Sequence, residues 1–154
     1  MHQAVSRLSN ASRARLSRVS LPETQSTYAL AQLLLRHGFI SAIHRGDHLG
    51  PDPHPTPTTN LNRATRRYWL DMRYDENGAP VLGRAECISK PSRTVVASVS
   101  DLRQLVQGRD LSARGIRRME AGQVMVVAVA ALGMVDIWEA VKAGQGGQLV
   151  CRLA

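Results

Sequence analysis

Four prolines at alternate positions, about a third of the way along the chain, limit its fold more than any other local feature. Pro51, Pro53, Pro55 and Pro57 lie among Asp, His, Thr and Asn residues. Each proline fixes φ and removes a backbone N–H donor, so this segment can form neither a regular helix nor an inner strand. We therefore predict an exposed insertion over about 46–63.

The segment before this insertion has the pattern of two helices that alternate with two strands. Leu30, Leu33, Leu34 and His37 recur at helical spacing before Gly38, which predicts a helix with a glycine stop. Residues 19–21 and 39–43 predict strands. An earlier helix is predicted from an apolar face and a neighbouring arginine stripe. The face comprises Val5, Leu8, Ser12 and Leu16, and the stripe comprises Arg7, Arg15 and Arg18.

The middle of the chain is predicted to be mainly strand. Residues 67–74 and 79–88 flank Asn77 and Gly78, a pair that favours the positive φ angles of a tight turn, so we expect a paired hairpin. Residues 94–99 form a β-branched run that predicts another strand. A short helix over 101–107, started by Ser100 or Asp101, precedes a second polar and arginine-rich insertion at about 108–121.

The C-terminal segment combines an apolar strand with a capped helix. A strand is predicted at 124–129, and a closing strand at 148–153 follows Gly146 and Gly147. Asp136 and Glu139 have capping-box spacing and Gly144 supplies a stop, which predicts a helix over 137–143. We therefore expect an α+β protein with an α/β domain (helix-strand-helix-strand-strand) at 1–78. A β-rich domain with one short helix follows at 79–154.

The charge balance indicates a polyanionic partner. The chain has 20 Lys+Arg against 12 Asp+Glu, and Lys90 and Lys142 are the only lysines. Arginine guanidinium groups match phosphate in a bidentate geometry. The longest apolar run, 124–135, falls short of the roughly 20 residues of a spanning helix, so no membrane partner is expected. Cys87 and Cys151 lie in predicted strands without C-x-x-C spacing, which predicts buried free thiols.

Enzyme and metal-binding signatures are missing from the sequence. We find no glycine-rich phosphate loop, no HExxH motif and no activated serine or cysteine, so we expect neither catalysis nor a cofactor nor a small-molecule substrate. His44, Asp47, His48 and His54 could be imagined as metal ligands. Their proline-rich setting offers no scaffold to orient them, so no metal site is predicted.

Five motifs, in order, carry a family resemblance. They are VSRLSNA at 5–11, LPET at 21–24, LLRHGFI at 34–40, ISKPSR at 88–93 and GMVDIWEAVKAGQGGQLVC at 133–151. In this order they resemble the universal eighth protein of the small ribosomal subunit. The resemblance implies an α/β N-terminal half and a β-rich C-terminal half. It also implies binding to the central domain of small-subunit ribosomal RNA, help in assembly, and contacts with neighbouring ribosomal proteins.

The resemblance also implies RNA-binding residues. The first helix would direct Arg7 and Asn10 toward RNA, and the arginine stripe adds Arg15. A proline-stiffened loop presents cations to phosphates at low ordering cost, and serine hydroxyls can reach 2′-OH groups. The loop residues that match the family are Ser89, Lys90, Pro91, Ser92 and Arg93.

Two departures from the family pattern affect the expected interface. The family's Ser-Thr-Ser-Lys-Gly loop aligns with Val129, Ala130, Ala131, Leu132 and Gly133, so three hydroxyls and an ammonium group are replaced. Gln148 replaces the glutamate after the double glycine. Ala130, Ala131, Gly133 and Gln148 remain RNA-facing candidates by position. We expect a weaker RNA contact here, or apolar packing against a neighbouring protein.

The same departures suggest the cellular setting. The motifs follow the bacterial type, but the two insertions and the altered loop resemble an organelle lineage, which favours the mitochondrial ribosome in the matrix over a bacterial cytoplasm. The first 22 residues have a transit-like composition. They also align with the family's first helix, so no separable presequence is expected. An RNA-binding translational regulator that acts off the ribosome would share these local features, and sedimentation with small subunits separates the two functions.

Overall fold

The computed structural model describes residues 1–53 and 64–154 and confirms an α+β fold. Within these ranges it contains four α-helices and eight strands that form two sheets. The helices are α1 (His2–Arg13), α2 (Gln25–Arg36), α3 (Val99–Val106) and α4 (Ile137–Lys142). The strands are β1 (Arg18–Pro22), β2 (Ile40–Gly46), β3 (Arg67–Met72), β4 (Ala85–Cys87), β5 (Val96–Ala97), β6 (Val124–Val129), β7 (Gly133–Asp136) and β8 (Gly147–Leu153).

The first sheet has the antiparallel order β1-β3-β2, and α2 lies between β1 and β2 in the chain. Thr24 caps α2, because its side chain accepts a hydrogen bond from the Thr27 N–H. Gly38 has a φ of +76° just past the helix end, which confirms the predicted glycine stop. The predicted order of helix, strand, helix and strand is therefore confirmed.

The arginine stripe predicted along the first helix is wrong, because α1 ends at Arg13. Arg15 takes a left-handed conformation with a φ of +51°, and the Leu16 N–H donates to the Ala11 carbonyl at 3.0 Å. This arrangement is a Schellman ending, in which the chain leaves the helix axis. Leu16 is consequently 50% exposed rather than part of the apolar face, and Arg18 lies in β1.

Asp71 on β3 links the three strands of the first sheet. Its carboxylate accepts hydrogen bonds from Arg18 Nε at 2.6 Å on β1 and from His44 Nε2 at 3.1 Å on β2. Burial raises the pKa of Asp71, but the bonds from Arg18 and His44 lower it, and the net pKa lies below the ordinary value. The ionised carboxylate therefore stabilises the folded sheet.

The second sheet has the order β4-β8-β6-β7, and β5 also pairs with β8. Its two faces contribute to two hydrophobic cores. Val126 and Cys151 pack into the core shared with α1, α2 and the first sheet. Met125, Val127 and Leu149 pack on the opposite face against α3 and α4. A strand covered on both faces needs apolar side chains in both directions, which explains the continuous apolar run in β6.

The predicted hairpin around Asn77 and Gly78 is wrong, although the tight turn exists. Gly78 has a φ of +74°, and the Asp75 N–H donates to the Ala79 carbonyl at 2.9 Å. Beyond the turn, Tyr74 and Pro80 form an isolated bridge rather than a ladder. The reason is that β1 and β2 occupy both edges of β3, so β4 pairs with β8 in the other sheet.

The predicted start of the third helix is also wrong, by two residues. The run at 94–99 forms the two-residue strand β5, and Ser98 is the N-cap of α3. The Ser98 hydroxyl accepts from the Asp101 N–H at 3.2 Å, and the Asp101 carboxylate accepts from the Ser98 N–H at 2.9 Å. This reciprocal capping box stabilises a helix start before Ser100.

Only one of the two hydrogen bonds of the predicted α4 capping box is confirmed. The Asp136 carboxylate accepts from the Glu139 N–H at 2.8 Å, and Gly144 follows the helix with a φ of +65°. The Glu139 carboxylate instead pairs with Arg36 at 2.5 Å. This ion pair joins α4 to α2 in place of the reciprocal cap bond.

The first insertion lies partly outside the described residues, including His54, Pro55 and Pro57. β2 extends to Gly46, which forms a bridge with Pro51, and Trp69 Nε1 donates to the Asp47 carbonyl at 2.9 Å. The described start of this segment is thus attached to the first sheet. In residues 1–53 and 64–154, no helix is long and apolar enough to cross a bilayer.

The two cysteines lie opposite each other on neighbouring strands, β4 and β8, and both are free thiols. Cys151 is fully buried as predicted, but Cys87 is partly exposed because it ends an outer strand. Burial raises the pKa of both thiols. Within the described parts of the chain, no three His, Cys, Asp or Glu side chains gather where they could hold a metal ion.

Candidate nucleic-acid interface

The ISKPSR motif forms a tight turn between β4 and β5, two strands that pair with the same edge of β8. Lys90 and Arg93 exchange both backbone hydrogen bonds, each at 3.0 Å. The Ser89 hydroxyl accepts from the Val95 N–H at 2.9 Å and so closes the base of the turn. Lys90, Pro91, Ser92 and Arg93 are exposed at its tip. The turn therefore holds two cationic side chains on a fixed backbone.

The second insertion packs beside this turn. Leu111 and Ile116 exchange backbone hydrogen bonds at 2.9 and 3.2 Å, and both side chains are buried in the second core. The intervening residues 112–114 form a 3-10 turn. Although the sequence predicted a polar insertion, two apolar side chains anchor it to the sheet.

A cleft of about 460 Å³ separates the insertion from the ISKPSR turn. Six cationic side chains and two carboxylates line it. The cationic residues are Arg84, Lys90, Arg93, Arg114, Arg117 and Arg152, and the acidic residues are Glu86 and Glu120. This excess of positive charge makes the cleft suitable for a polyanion.

Three of the cleft arginines already bind protein groups. Arg84 pairs with Glu86 at 2.6 Å, Arg114 pairs with Asp101 at 3.1 Å, and Arg152 donates to a backbone carbonyl at 2.5 Å. The other three cations are Lys90, Arg93 and Arg117. Among the residues that the structure describes, these three make no ion pair.

The predicted N-terminal residues are exposed but do not line this cleft. Arg7 lies on α1, where its guanidinium donates to the Ser20 carbonyl at 3.3 Å. Asn10 lies one turn further along the same helix. Arg15 follows the helix end, and α1 packs against both β1 and β4.

The segment that departs from the family pattern forms the turn between β6 and β7. Val129 is buried, whereas Ala130, Ala131 and Leu132 are exposed, and Gly133 has a φ of +75°. Gln148 lies beside this turn, since it pairs with Ala128 on β6 and with Val96 on β5. The structure thus brings Gln148 and the altered turn to neighbouring positions on the second sheet.

Close backbone contacts explain the double glycine before β8. A Cβ on Gly146 would lie 2.6 Å from the Ala97 carbonyl oxygen, and a Cβ on Gly147 would lie 2.4 Å from the Ala128 carbonyl oxygen. Real Cβ atoms essentially never come within 3.0 Å of such neighbours. The two glycines therefore let β5 and β6 approach β8 from both sides.

Four arginines of the cleft were missed by sequence reasoning: Arg84, Arg114, Arg117 and Arg152. The arginine-rich composition of the second insertion pointed to two of them. The pairing of β4 with β8, which brings Arg84 and Arg152 to this surface, depends on contacts distant in sequence.

The fold and this surface define a small, basic α+β protein whose cations converge on one cleft beside a stiffened turn. The family model described as Ribosomal protein S8 matches residues 1–153. The chain belongs to that family, which confirms the resemblance drawn from the five motifs.

Individual relatives cover nearly the whole chain. A small ribosomal subunit protein uS8m of Schizosaccharomyces pombe is 41% identical over 99% of this chain and 98% of its own length. A uS8m protein of Neurospora crassa is 40% identical over 96% of this chain and 93% of its own length. A bacterial small ribosomal subunit protein uS8, from Rhodospirillum centenum, is 22% identical over 97% of this chain and 92% of its own length.

Proposed function

We propose that this chain is a structural component of the small subunit of the mitochondrial ribosome. In this role it binds the central domain of small-subunit ribosomal RNA and supports assembly of the subunit. The full-length family match carries the proposal, together with the identity of 40–41% to uS8m proteins against 22% to a bacterial uS8. The mitochondrial matrix is the corresponding location. The role is structural and includes no catalytic step.

The ISKPSR turn is the proposed main RNA contact of the C-terminal unit, residues 79–154. Lys90 and Arg93 project from a turn that is closed by two backbone bonds and by the Ser89 hydroxyl. A turn that is already ordered loses little conformational freedom on binding, so more of the attraction to phosphate remains as affinity. The exposed Ser92 hydroxyl can hydrogen-bond a ribose 2′-OH.

The N-terminal unit, residues 1–78, makes a second RNA contact in this proposal. Arg7 and Asn10 lie on the same helix, and Arg15 follows its end. These side chains are exposed and do not line the cleft, so they would reach a different RNA segment from the one at Lys90 and Arg93. Two contacts on two units would fix the orientation of the protein on its RNA.

The turn between β6 and β7 is proposed as a weaker contact. Ala130 and Ala131 offer RNA no side-chain donors, so only the backbone near Gly133 and the amide of Gln148 remain polar. Leu132 is 47% exposed and offers an apolar surface to a neighbouring ribosomal protein.

A salt titration tests the proposed RNA contact. We expect Lys90→Ala with Arg93→Ala to weaken binding to a central-domain transcript and to reduce the slope of log affinity against log salt. The reduction should be about 0.7–0.9 for each lost phosphate contact. Lys142→Ala with Arg103→Ala is the matched control, because it removes the same charges from exposed positions outside the cleft. Equal slopes for the two double variants would exclude the turn from the interface.

Sedimentation tests the ribosomal role separately. The protein should travel with small subunits in stoichiometric amount when a mitochondrial lysate is fractionated on a gradient. A protein found mainly at the top of the gradient and bound to free RNA would contradict the structural role and would support a regulator that acts off the ribosome.

A further inference from the structure

The second insertion is bonded to three elements that lie outside it in the chain. The Arg114 guanidinium pairs with Asp101 at 3.1 Å and donates to the Val96 carbonyl. The Arg152 guanidinium donates to the Arg117 carbonyl at 2.5 Å. These bonds attach the insertion to α3, β5 and β8, so the backbone at Arg117 has a fixed position.

The fixed backbone places Arg117 opposite the ISKPSR turn. Arg117 is exposed and lines the same cleft as Lys90 and Arg93. In the described part of the chain, none of these three side chains forms an ion pair. Arg152 also lines the cleft, and its buried Nε has no hydrogen-bond partner among the described residues. Donors without protein acceptors therefore face the cleft from both sides.

We infer that Lys90, Arg93 and Arg117 together bind the sugar-phosphate backbone of an RNA strand, and that the second insertion forms one wall of this site. The inference rests on the proposed function and extends it to a residue outside the five family motifs. Arg93 and Arg117 supply planar forks that match phosphate oxygens, and Lys90 supplies a compact charge.

The lining of the cleft favours a backbone over a base or an acidic peptide. The described lining contains no aromatic ring on which a base could stack. It also contains neither the tryptophan nor the tyrosine side chains that are enriched among the anchoring residues of protein interfaces. An RNA strand instead offers phosphates at regular intervals, which suits several cations on two opposing walls.

Neighbouring arginines provide a matched test. Arg117→Gln removes a cation from the cleft, and Arg118→Gln removes one from the next position, which is exposed but does not line it. With a central-domain transcript of small-subunit ribosomal RNA, we expect Arg117→Gln to lower the salt slope by about 0.7–0.9. That loss corresponds to roughly four- to sixfold weaker binding near 0.15 M salt. Arg117→Lys should restore the slope, because it restores the charge.

The outcomes separate this inference from the proposed function. If the wild-type protein does not bind the transcript better than an unrelated RNA, the proposed function fails. A second outcome is that the wild type binds the transcript and that Lys90→Ala with Arg93→Ala weakens this binding, while Arg117→Gln and Arg118→Gln have the same salt slope. In that case only the inference is overturned. If Arg117→Gln weakens binding of the protein to a polyglutamate peptide but leaves RNA binding unchanged, the inference is also overturned. That result would assign the cleft to an acidic protein segment.

Discussion

Gly147→Ala should destabilise the protein by forcing two strands apart. The new Cβ would lie 2.4 Å from the Ala128 carbonyl oxygen and 3.0 Å from Val127 Cγ1. Because contacts below 3.0 Å are essentially never observed, β6 and β8 must separate locally by about 0.6 Å. Both strands lie inside the second sheet, between other strands, so the movement cannot be absorbed at a free edge.

The size of the effect follows from three contributions. Overpacking in a well-packed interior costs about 1–3 kcal/mol. A weakened ladder hydrogen bond adds about 0.5–1.5 kcal/mol. Replacing a strand glycine recovers about 0.5–1 kcal/mol of backbone entropy. We expect a net loss of about 2 kcal/mol in the free energy of unfolding, which lowers the Tm by about 4–8 °C in a chain of this size.

Thermal and urea melts followed by circular dichroism measure this loss. Gly50→Ala is the matched control, because a Cβ there meets nothing within 4 Å and the residue has an ordinary φ. Its unfolding free energy should stay within about 0.5 kcal/mol of the wild-type value. Equal stability of Gly147→Ala and Gly50→Ala would refute the close approach of β6 to β8.

Three further predictions concern acid stability, thiol reactivity and the altered turn. Asp71 has a lowered pKa in the folded protein, so its stabilising charge is present above about pH 4 and is lost as the pH falls through the folded-state pKa. Urea melts of Asp71→Asn should therefore show lower stability than wild type at pH 7 and a smaller difference at pH 3, and a difference independent of pH would contradict the ion pairs. Iodoacetamide should label Cys87 in the native protein and Cys151 only after unfolding, because Cys151 is fully buried; peptide mass spectrometry measures this, and equal native labelling would refute the burial. Ala130→Thr with Ala131→Ser should strengthen binding to the RNA transcript without lowering the Tm, since both sites are exposed. Unchanged affinity would remove this turn from the RNA contact.

Local sequence signals predicted the elements that local chemistry stabilises. The spacing of Leu30, Leu33 and Leu34 with Gly38 identified α2, and Asp136 with Gly144 identified α4. In each case a cap, a stop and an apolar face agree within about twelve residues, so no distant partner is needed to form the element.

Long-range pairing decided the features that sequence reasoning missed. The turn at Gly78 has the expected backbone, but β1 and β2 already occupy both edges of β3, which prevents the hairpin. The ISKPSR turn could be found because its residues are consecutive. The opposing wall, with Arg117, could not be placed beside it, since their meeting depends on how the insertion packs onto the second sheet.

Crosslinking in intact particles tests directly whether Lys90, Arg93 and Arg7 contact RNA. Small subunits isolated from the source mitochondria would be irradiated with ultraviolet light, digested, and searched by mass spectrometry for peptides that carry a nucleotide. We expect nucleotide adducts on the peptide that contains Lys90 and Arg93, and on a first-helix peptide that contains Arg7. Adducts confined to other parts of this protein, with none on either peptide, would contradict the proposed interface.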